Sequence, residues 1–278
     1  MTWSRTRILS WVGKITLYIL LLFTAFLILM PLVVVASTAF KPDDQIYEFP
    51  MRIIPRTPTL ENFGKLAQNF PRYIWNSCKL TFWIVLVQLL TATTGAYAFS
   101  KLRWRGRDFL FLLYILSMMV PIQAIIIPQF LIIRNLGLYD NHWALVLTGS
   151  FTAFGTFLIK QYFMTIPDSY LEAARIDGAS EYTIFFRIML PLAKPVLATQ
   201  VIFSFRYFWN DFFAPLIYLT SQHLKTLPLG MADFATETYT YVGPQMAASF
   251  ISIVPVMLIF LFAQRYFVEG VAAVGVKG

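Results

Sequence analysis

Residues 170–195 read YLEAARIDGASEYTIFFRIMLPLAKP, the one long polar interruption in the second half of a very apolar chain. Ser169 followed three residues later by Glu172 is a capping-box pattern: the hydroxyl accepts from a first-turn amide and the carboxylate reaches back to the cap. A short helix is therefore expected from about Tyr170. Gly178, two turns on, supplies the positive φ with which a helix reverses. Ser180 can cap a second short helix whose Tyr182, Phe185, Phe186 and Met189 are spaced to share one apolar face. Pro191 and Pro195 end that run. The expected product is a compact helix, turn, helix knob between two membrane segments.

The composition demands those membrane segments. Of 278 residues, 58% are hydrophobic and 13% charged, against about a quarter charged in soluble domains. Mean hydropathy is +0.64. The net charge of +8 comes from cations beside apolar runs, which set orientation against anionic lipid and do not form a nucleic-acid surface. Cys78 permits no internal disulfide. His142 and His223 are isolated at span ends, and no cluster of acidic, His or Cys residues has metal-ligand spacing. A phosphate-cradling Gly-x4-Gly-Lys-Ser/Thr loop and a Gly-x-Ser-x-Gly elbow are also absent. No catalytic residue, metal or bound cofactor is expected, so any ATP-driven step belongs to a separate polypeptide.

Hydropathy divides the chain into six expected spans at about 15–40, 74–99, 109–133, 143–163, 196–220 and 248–267. The first run is too long for the roughly 7 to 15 residues of a signal h-region and reads as an uncleaved span. A proline-rich loop follows over 41–73. Lys101, Arg103, Arg105 and Arg107 crowd the turn after the second span, which places that turn, and both termini, in the cytoplasm. Pro121 and Pro128 should kink or break the third span, a feature tolerated where it lines a cavity. Nearby Gln123 and Gln129 suit interhelical hydrogen bonds or substrate contact. Gly149 and Gly155 permit close helix approach in the fourth span.

The fifth span holds the deep charges Arg206 and Asp211, and a charge at membrane depth is a functional hypothesis by default. Five positions apart on a helix, they are turned by roughly 140° and are not expected to pair. With Trp209 and Asn210 between them they suit a sugar, which offers apolar ring faces and hydroxyl edges. The other reading is structural, with bonds to neighbouring helices or a partner. The stretch 221–247, with Lys225, Pro228, Asp233, Glu237, Tyr239 and Tyr241, belongs outside as an amphipathic helix or a gate.

Glu172, Ala173, Ala174, Asp177 and Gly178, followed by Ile188 and Leu190-Pro191, have the order and spacing of the EAA loop. In this the chain resembles the membrane-spanning permease subunit of bacterial ATP-binding-cassette importers, and within that group the smaller subunit of the maltose-type carbohydrate importers. Thr59–Phe63 and the tail Arg265–Gly270 with Val276–Gly278 are similar to the same group. The resemblance implies an all-α protein of the bacterial inner membrane, with residues 168–191 as a coupling helix docked on an ATPase. It also implies a tail between two ATPase subunits, which carry ATP and Mg, a second homologous permease subunit and an extracytoplasmic solute-binding protein. An ion-coupled secondary transporter using Asp211 is the alternative; it leaves the capped knob without a partner.

Overall fold

The structure, a computed structural model, describes residues 3–234 and 241–275, with side chains from residue 11 onward except 263 and 265–275. All regular elements among them are helical. A bilayer crossing needs about 20 apolar residues. Four helices qualify by length and composition: Trp11–Ala39, Phe70–Ser100, His142–Thr165 and Val242–Phe262. Two bent pairs, Arg107–Met119 with Ile122–Asn135 (101°) and Glu181–Leu192 with Lys194–Trp209 (77°), raise the number to six if each is one span.

Contacts divide the chain into one unit of Met1–Gln68 with Met231–Val254 and another of Asn69–Gly230 with Pro255–Gly278. In the first unit, α1 (Trp3–Ala39) runs unbroken through Pro31 and exposes apolar side chains on all sides from Trp11 to Met30. Such a helix is stable only in an apolar solvent or under a partner. Its end is fixed by a small core in which Phe40, Phe63 and Phe250 meet at ring distances of 5.0 to 6.5 Å. Between α2 (Asp43–Ile46) and α3 (Glu61–Gly64) the proline-rich loop folds back, and the buried Asn62 amide donates to the carbonyls of Ala39 and Lys41 at 3.1 and 2.7 Å. One orphan carbonyl at the helix end, that of Ala39, and one just beyond it are thereby satisfied.

The second unit begins with α4 (Phe70–Ser100), which starts earlier than the expected 74 because Pro71 occupies its first turn, the helical position proline tolerates. The third segment is broken into α5 (Arg107–Leu116), a 3-10 turn and α6 (Ile122–Asn135), with extended Pro121 at the break. The fourth is split into α7 (His142–Gly149) and α8 (Ala153–Thr165). Both expected glycine contacts are present: a Cβ at Gly149 would stand 2.8 Å from Ile84, and one at Gly155 would stand 2.5 Å from the Gln200 amide.

Further on come α9 (Ser169–Ile176), α10 (Glu181–Ile184), a π turn over Phe185–Met189, α11 (Leu190–Leu192), α12 (Lys194–Trp209), α13 (Phe213–Tyr218) and α14 (Leu227–Met231). The expected continuous fifth span over 196–220 is therefore interrupted after Trp209. Lastly, α15 (Val242–Gly275) begins ahead of the expected 248, because hydropathy marks the apolar length of a helix and not its polar first turns. Glu237, Tyr239 and the tail residues Val276, Lys277 and Gly278 lie outside the described residues.

Candidate functional site: a fastened knob and a cavity of broken helices

The knob differs from its sequence reading at its start. Asp168 and not Ser169 is the cap position, and it makes no side-chain cap bond. The reason lies 67 residues upstream. Lys101 Nζ donates to Asp168 Oδ1 at 2.5 Å and to the Ile166 carbonyl at 2.7 Å, its side chain only 4% exposed. A buried ammonium is tolerated only when paired and hydrogen-bonded, so the Asp168 carboxylate is drawn to the lysine and gives the helix no cap bond. The same ammonium holds the Asp168 carboxyl below the usual carboxylate range.

The turn follows expectation. Gly178 has φ +81, the Ala179 amide donates to the Ala174 carbonyl at 2.9 Å, and the Gly178 amide donates to the Arg175 carbonyl at 3.0 Å. These two bonds define a Schellman ending. Ser180 accepts from the Thr183 amide at 3.3 Å and caps α10.

Beyond it the expected apolar face is only half right. Ile184, Phe185 and Met189 are buried, whereas Tyr182 and Phe186 are exposed. The π turn, in which the Leu190 amide donates to the Phe185 carbonyl, stacks residues five apart and rotates the face away from the 3.6-residue phase. It also carries the helix past Pro191, so the run ends at Leu192 between the two prolines.

Leu171, Ile184, Phe185 and Met189 pack into one core with Tyr97, Ile159 and Phe163 of α4 and α8. Tyr97 also donates its hydroxyl to Glu181 Oε2 at 2.6 Å, and Arg175 Nε donates to Glu181 Oε1 at 2.8 Å. Both helices of the knob are thus tied to α4. Of the EAA-type residues, Ala174, Ile188 and Leu190 lie against this core. Glu172, Ala173, Asp177, Gly178 and Pro191 are exposed. The exposed side also carries Tyr170, Ile176, Tyr182 and Phe186, an apolar surface that the described residues leave uncovered.

The breaks in the other helices converge on a cavity of about 1110 Å³ walled by α4, α6, α7, α12 and α13. Broken backbone at such a place needs its polar groups satisfied. Gln88 Nε2 donates to the Gly149 carbonyl at 3.0 Å and Thr91 Oγ1 to the Ser150 carbonyl at 2.7 Å. Thr152 caps α8 through the Gly155 amide at 3.0 Å. Asp211 Oδ1 accepts from the amides of Phe213 and Ala214, the first two residues of α13, at 3.1 and 3.3 Å.

Arg206, Asn210 and Asp211 share the cavity wall, and Gln129 lines it too, where its Oε1 accepts from Tyr218 at 3.0 Å. Gln123 and Trp209 are not on that wall. Gln123 is exposed; Trp209 is fully buried and stacks on Phe205 at 5.5 Å. A buried polar set went unnoticed in the sequence: Ser204 donates to Gln88 Oε1, and Gln200 Nε2 donates to Ser204 Oγ at 2.8 Å. Gln88 and Gln200 are lone amides inside apolar runs, the same signal that marked Gln123 and Gln129.

An all-helical chain of four to six apolar spans, its helices broken around a cavity, has the fold of an ABC transporter permease. The chain belongs to the family of binding-protein-dependent transport system inner membrane components, whose model matches residues 89–272. It is 35% identical to the arabinooligosaccharides transport system permease protein AraQ of Halalkalibacterium halodurans, over 98% of both chains. It is 34% identical to the galactooligosaccharides transport system permease protein GanQ of Bacillus subtilis, over 94% of each. Among solved structures, a bacterial ABC transporter involved in the import of the acidic polysaccharide alginate matches with a TM-score of 0.84 and 27% identity, covering 92% of this chain and 96% of that one.

Proposed function

We propose that this chain forms half of the translocation pathway for an oligosaccharide or related sugar and couples its movement to a separate ATPase. The observation that carries the reading is the knob over 168–191, folded against α4 and α8 yet presenting Glu172, Ala173, Asp177 and Gly178 outward. In the proposed arrangement six spans cross the bacterial inner membrane with both termini inside, the bent pairs counting as the third and fifth. ATP and Mg sit on two partner subunits, and this chain carries no ATPase site. A second homologous permease supplies the other half of the pathway, and an extracytoplasmic binding protein delivers the solute.

Closure of the ATPase pair pushes on the knob. Because Lys101 and Tyr97 tie it to α4, and the chain joins it directly to α8 and α12, the displacement tilts three helices together and the cavity alternates its opening. Glu172 meets a basic group in the ATPase cleft, Ala173 and Ala174 allow close backbone approach, and Ile188 and Leu190 hold the knob on its core. Arg206, Asn210 and Asp211 face the solute. Asp211 is engaged by two amides, which does not favour an ion-coupled role.

The test is uptake by the complete complex in proteoliposomes, with its binding protein and a panel of oligosaccharides. Uptake that requires ATP, is blocked by vanadate and ignores ionophores is expected; uptake abolished by ionophores contradicts the reading.

A further inference from the structure

Among the described residues, Arg206 and Asp211 are the only charged side chains on the cavity wall. They do not neutralise one another: among the described residues no ion pair includes Arg206. The Asp211 carboxylate spends Oδ1 on the two amides that start α13. Arg206 is exposed on that wall. The rest of the wall is neutral, with amides at Gln88 and Gln129, hydroxyls at Thr81 and Ser117 and an aromatic ring at Phe208. Such a wall suits sugar hydroxyls and ring faces. What it leaves unanswered is one planar cation, whose fixed fork of N–H donors matches the paired oxygens of a carboxylate or phosphate.

We propose that Arg206 selects an anionic solute, a saccharide or polyol bearing a carboxylate or phosphate group, which the guanidinium binds in the cavity. This rests on the cavity being the carbohydrate pathway. The anion pairs with a guanidinium that no carboxylate among the described residues engages, and the neutral amides and hydroxyls hold the remainder of the solute.

The test uses the complete transporter with its binding protein in proteoliposomes and three probes: trigalacturonate, sn-glycerol 3-phosphate and galactotriose. The wild-type complex is expected to accumulate at least one anionic probe, and which one distinguishes carboxylate from phosphate. R206Q should lower that uptake roughly tenfold, the size of one lost charge-assisted interaction, and lower galactotriose uptake by a much smaller factor. R206K should keep a larger share than R206Q. A wild-type complex that moves galactotriose and neither anion overturns the proposal, as does unchanged anion uptake in R206Q. An equal loss of charged and neutral probes in R206Q also overturns it, since Arg206 would then pair with the second permease. Absence of vanadate-sensitive uptake for all three probes defeats the pathway reading itself.

Discussion

Gly178 turns the chain at φ +81 with open space where a Cβ would stand, so backbone preference and not bulk decides what it tolerates. A side chain in that left-handed region costs roughly 1–2 kcal/mol, and a β-branched one is the least able to adopt it. G178V should therefore abolish coupled uptake while membrane insertion persists, and G178N, which fits the conformation, should keep most of it; transport assays on both variants check this. Asp140 carries a second residue-scale expectation. It accepts from the amides of Thr220 and Ser221 at 2.8 and 2.9 Å, and its pKa is lowered to about 2, first by the Ser221 hydroxyl. Its folded pKa lies below the unfolded value of about 3.9, so its contribution is complete above that value and fades as pH falls towards 2. Hydrogen exchange at residues 220–221 should accelerate over that window, and D140A should remove the pH dependence. The Gly178 turn and the Ser180 cap were legible from sequence because each depends on neighbours within a few positions. The shift of the cap from Ser169 to Asp168 was not, because it is Lys101, just past the end of α4, that draws Asp168 in.

At the scale of elements, the knob is a lever only as far as it is fastened. Tyr97 is the narrowest fastening to test, since Y97F removes the hydroxyl bond to Glu181 and keeps the ring against Phe163 and Phe185. A bond to a charged group contributes about 1.5–3 kcal/mol, so Y97F should raise the ATP hydrolysed per solute moved without preventing assembly. Stoichiometry in proteoliposomes measures this. Helix contact gives the other element-scale expectation. A Cβ at Gly149 would meet Ile84 at 2.8 Å and the Phe208 ring at 3.0 Å, so G149V should cost about 1–3 kcal/mol by overpacking, read as a lower Tm in detergent. Apolar runs and glycines announced these helices and their close approach. The breaks near 150 and 210 were hidden, because Ser150, Thr152 and Asp211 satisfy free backbone groups that no periodicity reveals. The π turn was hidden likewise, and it moved Tyr182 and Phe186 from the expected buried face to the exposed one.

For the whole molecule, the exposed side of the knob and the cavity are two places where the described residues leave a surface open. One shows Ile176, Tyr182 and Phe186 to whatever covers it; the other shows a guanidinium that makes no ion pair among the described residues. Both fit a subunit that works between a motor and a solute, as its family does, and the amphipathic pattern exposed the first more readily than the second. The central claim is that residues 169–192 face the cytoplasm and receive the ATPase. It is tested by placing a single cysteine at the exposed Ile176 in a Cys78→Ser background and applying a membrane-impermeant maleimide to intact cells and to inside-out vesicles. The account predicts labelling in inside-out vesicles alone, suppressed when the ATPase subunits are bound. Labelling of intact cells, or labelling indifferent to those subunits, would contradict it.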